Sequence, residues 1–223
     1  MAACRVRKRA KPWALLVSDV RMANLAAIRS VGTSLAGFLN NAYGVATFPP
    51  NVTKPECVFS VASIGGLTAA DVPASDTSAR VLIVLYRTSM NQHLRNVGRQ
   101  ADVRSRRTPL SVDLHFLFSF WAKSADNEHL VLAWTLRQLH DVPVLDSSIL
   151  TREAAWGSED VIQLIPEEIA TEELMRIWDT LEPKYRLSLS YIARVIRIDP
   201  DEGVDSRPVV ATRFDYTTSA TEP

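Results

Sequence analysis

Between Leu110 and Phe120, six apolar residues (Leu110, Val112, Leu114, Phe116, Phe118 and Phe120) share one parity, while Ser111, Asp113, His115 and Ser119 share the other. Successive side chains of a strand point to opposite faces, so this period-two run predicts a long strand with one face in a core. Such a strand needs neighbours on both edges and something to cover its apolar side. The run VLIVLY within Arg80 to Arg87 predicts a second, buried strand, and Cys57 to Ile64 a third. Val161 to Ile165 reads as a short strand. LSLSYIARVIRID reads as a long one, with Pro208 to Tyr216 as a last hairpin partner after the turn DPDEGVD.

Helical spacing is confined to three places. Asn24 can cap a helix whose Ile28, Val31, Leu35 and Phe38 share a face, and the stretch from Asn40 to Pro55 then reads as a loop. Gly32 and Gly37 each weaken that helix by about 1 kcal/mol relative to alanine, so packing must support it. Asp126 can cap a second helix, expected to be largely buried because Leu130, Val131, Trp134 and Leu139 spread around it. Thr171 can cap a third, with Glu172 and Glu173 in its first turn and Leu174, Ile177, Trp178 and Leu181 at i, i+3, i+4 and i+7. Strands and helices do not alternate regularly. The fold class expected is α+β: a mixed, mostly antiparallel β-sheet packed by about three helices.

The chain of 223 residues is long enough for one sizeable core, and its 25 Lys and Arg balance its 25 Asp and Glu. Any attraction for a charged partner must therefore be local. Arg5, Arg7, Lys8, Arg9 and Lys11 precede an apolar run, Trp13 to Val17, too short for a secretory core, so residues 1–21 read as a basic, disordered extension. Met22 stands as an alternative start. A second basic stretch, Arg87 to Arg107, carries Arg95, Arg99, Arg104, Arg106 and Arg107 against the single acid Asp102. An acidic turn with Asp199, Asp201, Glu202 and Asp205 has the opposite sign, which suits head-to-tail pairing between like subunits. Residues 22–216 read as one domain, and 217–223 as a flexible tail.

Chemistry is sparse. The four histidines form no HExxH, Cys4 and Cys57 form no CxxC, and no metal or cofactor is expected. Gly65-Gly66 has no lysine nearby and reads as a turn rather than a phosphate cradle. VGTSLAG spaces its glycines too widely for a nucleophile elbow. His115 and Asp113 share the non-core face of the long strand; they read as solvated or interface-facing, with proton shuttling in a small hydrolase as the sharper alternative. The apolar stretches are too short to span a membrane. The basic loop and basic N-terminus could serve a nucleic-acid-associated module, but the loop holds no aromatic residue to stack on a base.

The segments VLIVLYRTSMNQHLRNVG, PLSVDLHFLFSFWAKSADNEHLVLAWTLRQLHDVPVLDSSIL and EELMRIWDTLEPKYRLSLSYIARVIRID resemble, in order and spacing, the cap or tail-terminator family of phage-tail-like contractile injection systems. The resemblance covers about Met22 to Ile198 and is strongest in DLHFLFSFWA, LRQLHDVPVL and YRLSLSYIARV. It implies an α+β domain similar to phage tail terminators. It also implies a non-enzymatic role in a homo-oligomeric, hexameric ring that sits on the inner tube protein, contacts the sheath protein and stops polymerisation. Neither membrane insertion nor nucleic acid is implied. Assembly would be cytoplasmic, in a particle that can be released. Exposed sheet edges could then pair neighbouring subunits. The charged residues of the basic stretch and the acidic turn are candidates for the subunit or tube interface.

Overall fold

The computed structural model describes residues 23–91, 110–158 and 160–198. In chain order its elements are α1 (Ala27–Val45), β1 (Glu56–Ala62), β2 (Ser78–Met90), β3 (Leu110–Ala122), α2 (Ala125–Asp141), β4 (Val144–Leu145), β5 (Ile162–Glu167), α3 (Thr171–Asp179) and β6 (Ser188–Ile198). One six-stranded sheet runs β1-β2-β3-β6-β5-β4; β1 and β2 are parallel, and every other pairing is antiparallel. This is the expected α+β architecture with three helices. The N-terminal extension, the hairpin partner Pro208 to Tyr216 and the tail 217–223 lie outside the described residues.

The strand β3 lies at the centre, but both of its faces are buried rather than one. Its even positions Val112, Leu114, Phe116, Phe118 and Phe120 join Val31, Leu35 and Leu39 of α1 and Val131 and Leu139 of α2 in the main core. Its odd positions Leu117 and Trp121 join Leu82, Val84 and Trp178 of α3 in a second, smaller core, with the Trp121 and Trp178 rings 6.3 Å apart. Ser119 is tolerated there because its hydroxyl accepts from the Trp121 indole (2.9 Å) and donates to the Leu82 carbonyl (3.3 Å).

Along α1 the buried line is Ala27, Val31, Leu35, Leu39 and Tyr43, each four residues after the last. Continuation of that line explains why the helix reaches Val45 instead of giving way to a loop at Asn40. Its end is held by Lys54, whose ammonium donates to the carbonyls of Tyr43, Gly44 and Ala46 and lies 4.7 Å from the Tyr43 ring centre. All three predicted caps are displaced. Asn24 accepts from the Ala26 N–H (2.8 Å) ahead of a helix capped at Ala26, Asp126 lies inside the first turn, and Thr171 is the first helical residue. In α2 only Val131, Thr135 and Leu139 are buried, so that helix is amphipathic and not largely enclosed. Trp134 still reaches the core edge-on to Tyr43, at 4.8 Å. Gly65-Gly66 closes a short 3-10 turn, Ile64–Gly66.

The outer edge of β1 is covered rather than open. Asn40 of α1 donates its side-chain N–H to the Phe59 carbonyl (2.7 Å) and accepts from the Phe59 N–H (2.9 Å), as a neighbouring strand would. At the other side of the sheet, β5 pairs with the two-residue β4, the Leu164 N–H donates to the Pro143 carbonyl (2.7 Å), and Pro166 has no N–H to offer.

Candidate functional site

The sequence-predicted interface residues Arg95, Arg99, Arg104, Arg106, Arg107, Asp199, Asp201, Glu202 and Asp205 all lie outside the described residues. The strand ends from which the two charged segments leave are described, and they are adjacent. Leu110 pairs with Ile198, Met90 pairs with Val112, and the Asn91 N–H donates to the Ser111 carbonyl (3.0 Å). Both segments therefore depart from one end of the sheet. Met90 and Leu110 expose 63% and 43% of their surface there, giving that end an apolar rim.

Beneath the rim, two β-bulges build a polar cluster that sequence periodicity does not reveal. In the β2–β3 register Leu85 faces Phe116 and Arg87 faces His115, so Tyr86 is an extra residue. In the β3–β6 register Val112 faces Ile196 while Leu114 faces Ala193, which inserts an extra residue into β6. A bulge reverses the alternation of faces beyond it. Consequently the adjacent residues Tyr86 and Arg87 both reach Glu167 of β5: the phenol donates to Oε2 and the guanidinium to Oε1, each at 2.7 Å.

Glu167 is the hub. His115 Nδ1 lies 2.9 and 3.0 Å from its two oxygens, and the Ser190 hydroxyl donates to it at 2.8 Å. An ionised carboxylate only accepts, so Nδ1 carries the proton; in the neutral ring Nε2 then accepts from the Ser89 hydroxyl, 2.9 Å away. Burial pushes the Glu167 carboxyl up, but hydrogen bonds from His115, Tyr86 and Ser190 outweigh it and hold the group below its ordinary value. Burial, opposed by Ser190 and reinforced by Glu167, moves the Tyr86 phenol up to about 12. Arg87 also approaches Glu173 (3.5 Å), carrying the cluster from four strands to the start of α3.

His115 and Asp113 are buried, not solvated: His115 lies among Ser89, Tyr86 and Glu167, and Asp113 between Asn91 and Arg194. Nor are they partners: Asp113 accepts from Asn91 at 3.1 Å on both oxygens and pairs with Arg194 at 3.5 Å. Ser89, His115 and Glu167 have the atom order of a nucleophile relay. Ser89, however, sits within the ladder opposite Asp113 and not on the strand-to-helix turn that exposes a nucleophile beside free N–H donors. The arrangement ties strands together. The break from VLIVL to Tyr86-Arg87 was its only trace in the sequence.

Elsewhere, an apolar groove of about 520 Å³ runs between α2 and β5, lined by Leu136, Leu139, Pro143, Leu164, Pro166 and Tyr191 among others. Among the described residues no cluster of His, Cys, Asp and Glu could hold a metal, and no helix is long and apolar enough to cross a membrane.

The sequence model of the Pvc16 N-terminal domain family matches residues 30–212. No curated protein sequence matches the chain. Among solved structures, the fold is similar to the PVC sheath/tube terminator of an extracellular contractile injection system in its extended state, with a TM-score of 0.51 and 19% identity over 90% of this chain and 66% of that one. The anti-feeding prophage cap, described as a tube terminating cap, aligns with a TM-score of 0.46 and 17% identity over 85% of this chain and 60% of that one. The chain thus spans about two thirds or less of either structure's length, and the likeness to the first is one of fold.

Proposed function

The chain belongs to the Pvc16 N-terminal domain family, and from that premise we propose that it is the structural cap of a contractile injection system, with no catalytic turnover. Six copies form a ring on the last layer of the inner tube and meet the end of the sheath. One face of the ring copies the growing end of the tube; the other offers no surface that a further layer can match, so polymerisation stops and the extended sheath is held. The partners are further copies of the chain, the tube protein and the sheath protein. No cofactor, membrane insertion or nucleic acid enters this role, and the particle assembles in the cytoplasm before any release. Residues 22–216 act as one domain, with 1–21 and 217–223 as extensions to it.

The observation that carries this reading is the family match over residues 30–212. The likeness of fold to a sheath/tube terminator supports it. We further propose that Arg95, Arg99, Arg104, Arg106 and Arg107, with Asp199, Asp201, Glu202 and Asp205, contact neighbouring subunits or the tube. The strand ends that lead into the two segments are adjacent, and the opposite charges of the segments suit pairing between copies. The test is electron microscopy of particles from the host with and without this gene. Loss of uniform length or of extended sheaths supports the cap, and normal particles of normal length without the protein refute it.

A further inference from the structure

We propose that Asn40 is a specificity-determining residue for assembly, an edge guard that denies the outer side of β1 to an incoming strand. An edge strand presents a row of unpaired N–H and C=O groups that can template pairing with another chain. Here β1 is seven residues long and, among the described residues, is paired on one side only, with β2, at the end of the strand order. Both backbone groups of its central residue, Phe59, point outward, and the Asn40 amide binds both, at 2.7 and 2.9 Å. A primary amide is the side-chain group that matches a peptide on both counts, since it carries a donor and an acceptor side by side. Aspartate or lysine at this position could satisfy one group but not the pair.

The position of Asn40 is fixed by its helix. Leu39 is fully buried and Tyr43 nearly so, and the Tyr43 hydroxyl donates to the Pro55 carbonyl (2.8 Å) just before β1 begins. The amide is therefore held against the strand from both sides along α1. By alternation, Cys57 and Val61 turn their backbone groups to the same outer side, so the guard blocks the middle of what would otherwise be a run of three pairing residues. A strand added there would have to displace the amide or bulge around it. The opposite side of the sheet is closed by other means, through β4 and Pro166. This inference does not depend on the capping role: it concerns which contacts the fold forbids.

The test compares the full chain with Asn40→Ala and with Asn40→Ala/Val61→Pro by light scattering coupled to size exclusion, across a hundredfold concentration range with reductant present. The expected result is a mass that rises with concentration for Asn40→Ala well beyond that of the unmodified chain. Val61→Pro removes an outward N–H, and the double variant should return to the behaviour of the unmodified chain. Asn40→Asp keeps the acceptor for the Phe59 N–H but leaves the Phe59 carbonyl unpaired, and should lie between. Unchanged association of Asn40→Ala, or equal association of the single and double variants, would overturn the proposal. Loss of a cooperative thermal transition in both Asn40→Ala and Asn40→Asp would also overturn it, because the amide would then be holding helix to sheet and not guarding an edge.

Discussion

Replacing Glu167 by glutamine tests the polar cluster most directly. The carboxylate accepts from four side chains, His115, Tyr86, Arg87 and Ser190, all within 3.0 Å, and its side chain is 12% exposed. Glutamine keeps the shape but turns one acceptor into a donor facing other donors. A hydrogen bond to a charged group contributes about 1.5–3 kcal/mol, and breaking one partner of a buried pair costs about 3–5 kcal/mol. Arg87 is 45% exposed, so solvent screens its share and the lower part of that range applies. The expected loss is about 2–4 kcal/mol at pH 7, and a chain of this size should melt about 2–4 °C lower for each kcal/mol. The sign of the pH dependence is fixed by the lowered pKa of Glu167. Its contribution is fully present above its ordinary value and is lost as pH falls through the lower value of the folded state. The gap between the native chain and Glu167→Gln, followed by thermal circular dichroism, should therefore shrink in acid. A variant within about 1 kcal/mol of the native chain at pH 7, or a gap that persists unchanged at low pH, would refute the assignment of Glu167 as the hub.

Tyr86→Phe removes one of the four donors and should cost about 1 kcal/mol, measured by urea unfolding. Gly37 is exposed in the middle of α1, and a Cβ there would meet nothing within 4 Å, so Gly37→Ala should stabilise by about 0.5–1 kcal/mol and raise the melting temperature. Leu35→Ala, at a fully buried position, should cost about 2–5 kcal/mol in the same assay. Changing Arg104, Arg106 and Arg107 together to Glu should lower the fraction of particles carrying a cap if these residues face acidic partners, and unchanged capping in electron micrographs would remove them from the interface.

The architecture was legible where one residue decides the matter alone. The parity of Leu110 to Phe120 located the central strand, and the i, i+4 lines through Val31 and Leu35 and through Leu174 and Trp178 located helices. What periodicity could not supply was the second covered face of β3, because that depends on where α3 lands, 50 residues and more along the chain. The polar cluster was hidden for a related reason. Bulges at Tyr86 and in β6 change which face a residue occupies, and a pattern read with a fixed period assigns everything beyond them to the wrong side. His115 was noticed for its chemistry but given Asp113 as partner, since that carboxylate is two residues away; the true partner, Glu167, is 52 residues away. Asn40 sat in what read as the start of a loop. The helix starts were likewise misplaced, by two residues at Asn24, by two at Asp126 and by one at Thr171, because no side chain caps these first turns.

The place of β6 between β3 and β5 also governs how the chain can be made. The pairing of Leu110 with Ile198 joins residues 88 positions apart, and β3 is complete 76 residues before β6 ends. At roughly 5–20 residues per second, a ribosome leaves the phenylalanine-rich β3 waiting for about 4–15 s with one long edge unpaired. Non-local pairing of this kind is slow to form in any case. Nascent chains should thus be most prone to aggregate in that interval, and slower expression in the cold or added chaperone should raise the soluble yield far more than any substitution on the finished surface.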